Sequence, residues 1–404
     1  MHIRFLWILL PFFYFVPADA QSYVKLHQRS VVIDTHNDIL TACFENHVSF
    51  DEDLRGKTHS DIHRFRQGGV DVQIFSVWCD GNKQNPFAYA NTQIDTLMAT
   101  IARNPSAIKL VGSSKELLQS VHEHKLAAMI GIEGGHMIEN NLDNLDILYK
   151  RGARYMTLTW NNSTAWATSA QYESGAGKPG NSDSQKVINH PGLDDFGKQV
   201  VKHMNALGML VDLSHVGEHT FWDAISTSTK PVLVSHSCVY SLCPVFRNLK
   251  DEQIVAVGKN GGVIHLNFYS GFLDSNFNKR EVQFNLKHKA EKDSLLKINP
   301  EPYFANQILF KKYHDEVQTL RAPLSLLLDH LDYIVKLIGV DHVGLGSDFD
   351  GIESPPLQLD DVTYYPLVTK ALLQRGYHKK DIRKILGGNF LRLLRANELG
   401  IVHQ

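Results

Sequence analysis

Charge of a single sign is missing from this chain: 404 residues carry a formal net charge of −2. So neutral a protein has no electrostatic footprint for nucleic acid or for an anionic membrane. Cysteine is scarce. Four residues, Cys43, Cys79, Cys238 and Cys243, are too few for a disulfide scaffold. Cys238 and Cys243 lie close to His236, which leaves a zinc–thiolate pair and an ordinary buried or bridged pair both open. No G-x-G-x-x-G fingerprint follows the first apolar strand, which weighs against a doubly wound open sheet, the alternative architecture. The chain has no internal repeat and no low-complexity tract. Its final segment, Asn397 to Gln404, has no hydrophobic tail, so a GPI-type anchor is not expected.

Long hydrophobic runs are also lacking. The one strongly apolar stretch, Phe5 to Val16, is too short to span a bilayer. It follows Arg4 and precedes Ala18-Asp-Ala20, an A-x-A cleavage pattern. Residues 1–20 therefore read as a secretory signal peptide, and the mature protein as exported, periplasmic or extracellular, without a stable membrane anchor.

The remainder, residues 21–404, has the size of one large catalytic barrel. Eight apolar runs are predicted strands: Val31–Asp34, Val70–Trp78, Ala127–Glu133, Tyr155–Trp160, Met209–His215, Pro231–His236, Gly262–Asn267 and Val343–Asp348. Most are continuous rather than alternating, as expected of parallel strands buried on both faces. Helical spacing of apolar residues separates them, as in Phe196–Leu207. Strand–helix alternation repeated about eight times predicts an α/β fold, the (β/α)8 TIM-type barrel. Residues 161–195, rich in Gly, Ser and Asn, read as a long loop over the barrel mouth. Residues 271–322 read as helical excursions whose apolar content is too thin for a second core.

The chemistry gathers at the strand ends, where such a barrel keeps its active site. The first strand supplies His36 and Asp38, the third Glu133, the fifth His215, the sixth His236 and the eighth Asp348 and Asp350. Any one histidine is more often a hydrogen-bonded core residue than a ligand. Five candidate ligands at one end of one barrel reverse that balance, because each would otherwise be desolvated for no return. Nitrogen and carboxylate ligands without thiolates suit a hydrolytic zinc site. Two ions fit better than one, with His36 and Asp38 on the first, His215 and His236 on the second, and Glu133 bridging. Such a pair clamps a water, lowers its pKa and polarises a scissile carbonyl. Asp348 is placed to carry the proton to the leaving nitrogen. Strand alternation predicts that Asp348 faces inward and that Asp350 is structural.

These residues sit in motifs that resemble the membrane (renal-type) dipeptidase family, peptidase family M19. The motifs are His36-Asn-Asp38, Gly131-Ile-Glu-Gly-Gly-His136, Asp212-Leu-Ser-His215, Ser235-His236-Ser, Gly344-Leu-Gly-Ser-Asp-Phe-Asp-Gly351 and Leu386-Gly-Gly-Asn-Phe390. The similarity runs over nearly all of the mature chain. It implies an amidohydrolase-like barrel that cleaves dipeptides by metal-bound hydroxide, tolerates a C-terminal D-residue and holds two Zn2+ on the five ligands named. It also implies Asp348 as the proton-transfer residue and Arg247, in Phe246-Arg-Asn248, as the grip on the substrate carboxylate, a role suited to bidentate guanidinium. Tyr269 is expected to line the same pocket, and a homodimer is the family's usual assembly. One position departs. The family usually shows Thr-Leu-Thr-His where this chain has Thr157-Leu-Thr-Trp160, and an indole donates one hydrogen bond but neither accepts nor carries charge. Trp160 leaves substrate preference open. The alternatives are a related amidohydrolase acting on N-acyl amino acids or cyclic amides, and a barrel that binds a peptide or partner without turnover.

Overall fold

A computed structural model describes residues 18–176, 190–298 and 302–398. The apolar leader expected at the N-terminus lies outside the described residues as far as residue 17. From there a helix, Ala18–Gln28, runs into the barrel. Near its end the buried His27 donates to the Gly68 carbonyl at 2.8 Å and accepts from Thr369 Oγ1 at 2.7 Å. No described helix is long and apolar enough to cross a membrane.

Among the described residues nine strands form one sheet: β1 (Ile33–Asn37), β2 (Val72–Trp78), β3 (Ile108–Leu110), β4 (Leu126–Glu133), β5 (Ala153–Thr157), β6 (Leu210–Asp212), β7 (Leu233–Val234), β8 (Val263–Leu266) and β9 (Val343–Leu345). Eight are parallel neighbours in the order β1-β2-β4-β5-β6-β7-β8-β9, and β3 adds to β4 off that path. The ring closes just beyond the first and last strands. Asn37 bridges Phe349 in parallel, Asp38 N–H donates to Phe349 O at 2.9 Å, and Asp348 N–H donates to His36 O at 3.0 Å. This is the (β/α)8 barrel, with strand β3 as an extra that the sequence does not signal.

Several strands are shorter than their apolar runs. β6, β7 and β9 stop at Asp212, Val234 and Leu345, and β5 stops at Thr157. Past those points the chain leaves the ladder, and His215, Asp348 and Asp350 take left-handed φ values of 63°, 61° and 68°. A left-handed residue cannot continue a pleated strand. Two residues apart, Asp348 and Asp350 would share one face of a continued strand, so alternation does not sort them; the two left-handed turns separate them instead.

Interior and exterior side chains segregate by parity. On β2 and β4 the residues Val72, Ile74, Ala127 and Met129 belong to the cluster inside the barrel, whereas Phe75, Val77, Ala128 and Ile130 pack outward under the helices. The interior series continue upward to Ser76 and Trp78 on β2, and to Gly131 and Glu133 on β4. At Gly131 a Cβ would fall within the Tyr155 ring, so glycine is what lets that ring cross the barrel beneath Glu133. The other end is plugged by Phe390, Leu393 and Leu394, which pack on Ile33, Leu233 and Val263. That accounts for Leu386-Gly-Gly-Asn-Phe390. Gly387 lies where a Cβ would strike the Val31 carbonyl, and Asn389 Nδ2 holds the Val340 and Val343 carbonyls at 2.7 and 2.8 Å.

The described parts of both long interruptions carry regular structure, which is expected of 271–322 alone. Segment 161–195 carries a short helix, Ala170–Glu173, and is pinned by bridges Ala167↔Leu193 and Ser169↔Val216; residues 177–189 lie outside the described residues. Segment 271–322 is helical, as predicted, through Phe277–Lys287, Lys289–Ile298 and Pro302–Lys312. It nevertheless builds a small core of its own from Phe277, Phe284, Leu309, Phe310, Val317 and Leu320. Three phenylalanines supply enough area to do what the thin apolar count did not suggest.

Phe390→Ala should lower the unfolding free energy by about 3–5 kcal/mol, the usual loss for a fully buried aromatic. Urea unfolding followed by far-UV circular dichroism measures it. A loss below about 1 kcal/mol would mean that Phe390 does not plug the barrel.

Candidate metal centre

Glu133 ends the interior series of β4 and stands at the middle of the mouth. Its two carboxylate oxygens divide between two groups of side chains. Oε1 lies 3.0 Å from His215 Nε2 and 3.6 Å from His236 Nε2. Oε2 lies 3.2 Å from His36 Nε2, which is itself 3.4 Å from Asp38 Oδ2. Asp348 Oδ1 reaches His36 Nε2 at 3.9 Å. His36 and His236 stack with ring centroids 3.8 Å apart. All five ligand candidates and Asp348 thus meet at one end of the barrel. Donor atoms also cluster as His36–Glu133–His236 and as His36–Asp38–Asp348, so Asp348 lies within reach of an ion held by the first pair.

Each imidazole is turned by a partner on its far nitrogen. His36 Nδ1 lies 2.7 Å from the Tyr155 hydroxyl, which donates its own proton to the Thr35 carbonyl at 3.2 Å. His215 Nδ1 lies 3.0 Å from Asn161 Oδ1. His236 Nδ1 lies 2.8 Å from Ser235 Oγ, whose proton goes to Asp212 Oδ2 at 2.6 Å. With the two hydroxyl protons given to Thr35 and Asp212, and Asn161 offering its carbonyl oxygen, each partner serves as an acceptor, an arrangement that puts the histidine protons on Nδ1 and leaves lone pairs at Nε2. His215 Nε2 and His236 Nε2 then face each other at 2.9 Å with no proton between them, and the fully buried His36 Nε2 has no hydrogen-bond partner. Converging lone pairs are repulsive unless a cation sits among them. The donor set fits bound metal.

The electrostatics agree. Burial, reinforced by the Arg247 charge, pulls His215 down to about 3, and burial with His36 and Arg247 pulls His236 well below its ordinary value. Both stay neutral, as ligands must. At His36 burial acts downward too, but the Tyr155 oxygen and the Glu133 and Asp38 carboxylates outweigh it and hold the pKa well above the usual range. That field favours a cation at Nε2, whether a proton or a metal ion. Glu133 is held well below its ordinary range against its own burial by positive charge at His36, with His215 beside it, the positions where a bound cation would act. Asp348 goes the other way: burial, with Asp38 and Glu133 nearby, pushes it well above the carboxylate range against the pull of His36.

Two aspartates set the frame below these ligands in the same manner. Asp34 accepts from Ser347 N and Oγ at 2.8 and 2.6 Å, and Asp212 accepts from Ser235 N and Oγ at 2.8 and 2.6 Å. Each clamped serine immediately precedes a site residue, Asp348 in one case and His236 in the other. Asn267, just past β8, donates to Asp348 Oδ2 at 2.7 Å. Ser76 donates to Glu133 Oε2 at 3.0 Å.

The remaining candidates surround this cluster. Arg247 is 5% exposed, donates to His236 O at 3.1 Å and Ser237 Oγ at 3.2 Å, and lies over the Phe272 ring. Burial lowers it to about 10, and it makes no ion pair among the described residues. Trp160 packs edge-on against Trp78 at 5.0 Å, with its ring 6.4 Å from that of His215. Tyr269 packs on Phe272 and Phe277, one ring removed from Arg247. Asp350 turns away, taking the His59 N–H and the Ser60 hydroxyl. All four cysteines are free and buried. Cys238 Sγ donates to Asn267 O at 3.3 Å and is no part of the donor set.

A family model for the membrane dipeptidases, peptidase family M19, matches residues 20–400. An uncharacterized dipeptidase of Schizosaccharomyces pombe is 30% identical over 94% of this chain and 83% of its own length. The chain belongs to peptidase family M19. Membership makes it a hydrolase of the metallo-dipeptidase class. The fold is shared with solved structures. The probable dipeptidase PvdM of Pseudomonas aeruginosa aligns with a TM-score of 0.71 and 23% identity, over 94% of this chain and 98% of that one. A Rhodobacter sphaeroides metallo peptidase, liganded with a phosphinate mimic of the dipeptide L-Ala-D-Ala, aligns with a TM-score of 0.70 and 22% identity, over 91% and 99%.

The supporting residues of this M19 chain, Asp34, Ser76, Tyr155, Asn161, Asp212 and Asn267, escape a reading aimed at ligands. For the two aspartates a signal exists, since an ionisable residue inside an apolar strand must have partners. Tyr155→Phe removes the acceptor for His36 Nδ1–H and, with it, the longer bond to the Thr35 carbonyl. It should weaken metal affinity by about 10–100-fold while leaving the thermal midpoint of the metal-free protein within a few degrees. Chelator competition reads the affinity, and an unchanged value would deny Tyr155 its orienting role.

Proposed function

We propose that this protein is an exported dipeptidase that hydrolyses free dipeptides at a binuclear zinc centre. The observation that carries the proposal is the division of Glu133, one oxygen toward His36 and the other toward His215 and His236. In this reading His36 and Asp38 hold one ion, His215 and His236 the other, and Glu133 both. Nitrogen and oxygen donors without thiolate support zinc. When bound, the ions supply Lewis acidity toward a water and the scissile carbonyl.

The chain's own groups do the rest. Asn267 fixes one oxygen of Asp348 and leaves Oδ1 turned toward His36 and the mouth. Its burial-raised pKa suits a carboxylate that takes a proton from the attacking water and returns it to the leaving amine. Arg247 is a buried guanidinium without an anionic partner among the described residues, beside the ligand His236. A dipeptide's free carboxylate satisfies it, which selects short substrates by their C-terminus. The L-Ala-D-Ala mimic on the Rhodobacter sphaeroides relative supports including dipeptides with a D-residue there. The apolar stretch Phe5–Val16 and Ala18-Asp-Ala20 support export.

Amine release from L-Ala-L-Ala, L-Ala-D-Ala and N-acetyl-L-Ala by zinc-loaded protein tests the reading. Both free dipeptides should be cleaved and the acylated amino acid left intact. Asp348→Asn should lower kcat by about 10²–10⁴-fold with both ions retained. Loss of one ion in that variant would make Asp348 a ligand, and turnover of N-acetyl-L-Ala alone would move the activity to an N-acyl amino acid amidohydrolase.

A further inference from the structure

The departure at Trp160 has a geometric partner. Trp78 ends β2 as the next interior position after Ser76, and it is the cross-strand neighbour of Glu133. Its side chain therefore rises on the same face as Glu133, into the mouth. Trp160, three residues beyond β5, meets it edge-on at 5.0 Å. Both indoles are half-buried, so each keeps part of an apolar face toward the opening. Trp78 Nε1 is shielded from solvent and has no hydrogen-bond partner.

The order of strands around the ring gives the pair its position. Trp78 and Trp160 flank β4 on either side, whereas Arg247 hangs between β7 and β8. In an eight-membered ring those two places are across the mouth from each other, with Glu133 and the three histidines between them. A dipeptide whose carboxylate is held at Arg247 and whose amide lies over the ligands must extend its N-terminal residue onto the two indoles.

We infer that Trp78 and Trp160 form the subsite for the N-terminal side chain, and that the enzyme selects dipeptides beginning with an aliphatic or aromatic residue. The inference rests on the dipeptidase reading above, because Arg247 fixes the direction of the substrate. A side chain laid on two half-exposed indoles removes apolar surface from water on both partners, and an acidic one gains nothing there. Full burial of one such side chain corresponds to roughly 10–100-fold in kcat/KM over glycine.

The test compares Gly-L-Ala, L-Leu-L-Ala, L-Phe-L-Ala and L-Asp-L-Ala with the reversed series L-Ala-Gly, L-Ala-L-Leu and L-Ala-L-Phe. Zinc-loaded wild type would be set beside Trp160→Ala, Trp160→His and Trp78→Ala. We expect Leu and Phe to exceed Gly at the N-terminal position by roughly 10–100-fold. In the variants that ratio should fall to within about threefold, while the ratios of the reversed series move far less. An N-terminal ratio near one in the wild type, or one that survives all three variants, overturns the subsite. A second readout separates this inference from the reading it rests on. Binding of phosphinate mimics of Gly-D-Ala and L-Phe-D-Ala, followed by indole fluorescence, needs no turnover. Tighter binding of the L-Phe mimic that is lost in Trp160→His supports the subsite even if no dipeptide is cleaved. Equal affinities, or binding of neither mimic, overturn it.

Discussion

Everything at the mouth of this barrel depends on how the charge of Glu133 is shared. A buried carboxylate beside neutral imidazoles and two further carboxylates is expensive, because each desolvated ion costs several kcal/mol that mutual attraction must recover. Here Glu133 Oε1 faces His215 and His236 while Oε2 faces His36, and the protons that would satisfy it directly are committed to Tyr155, Asn161 and Ser235. The chain has spent its imidazole protons outward and left its lone pairs inward. Such a set of groups is at rest only around cations. Stability and function therefore share one source, which is why the centre belongs to the architecture and not to its surface.

The barrel makes that convergence possible by bringing eight strand ends together; β1 and β4 carry His36 and Glu133 themselves, but three other strands stop short of the chemistry. His215, His236 and Asp348 all lie past the ladder. What holds the last two is the pair of clamps, Asp34 on Ser347 and Asp212 on Ser235. Each aspartate takes both the N–H and the hydroxyl of a serine from a neighbouring segment and so fixes the backbone one residue before a site side chain. A ligand on a free loop would sample many rotamers. One set behind a two-point clamp does not.

Much of this was legible in the sequence. Continuous apolar runs mark the barrel strands because both faces of a parallel strand are buried, and the polar residues at their ends stand out against them. His36, Asp38, Glu133, His215, His236 and Asp348 do come together. Where the runs end was not legible, since Asp is among the residues that tolerate left-handed φ and nothing local marks Asp348 or Asp350 as turning there. Strand alternation is the wrong ground for setting Asp350 apart, since residues two apart share a strand face; the turn and the grip of His59 and Ser60 do it instead. The small core of the inserted helices was hidden for a different reason. Six residues spread over 277–320 give no dense window, although their large side chains bury enough area together. The orienting shell was missed because Tyr155, Asn161 and Asn267 are ordinary residues whose roles exist only through partners distant in sequence.

The mouth that results is asymmetric, and the asymmetry is chemical. On one side Arg247 holds a full positive charge in a dry place, above Phe272 and against the His236 carbonyl. On the other, Trp78 and Trp160 offer area and almost no charge. A residue at position 160 that could ionise or accept would bring a second polar group to bear near His215. An indole there removes that option and adds surface. In the subsite inferred above, the indole that gives up an acceptor and a charge at this position contributes binding energy at the far end of the substrate instead. Binding energy so placed accelerates the reaction only if it is used to set the amide over the ligands. In the proposed reading Arg247 holds the carboxylate and so sets the direction of the substrate, the indoles on the opposite rim receive its N-terminal side chain, and the scissile bond lies where Glu133 divides its charge.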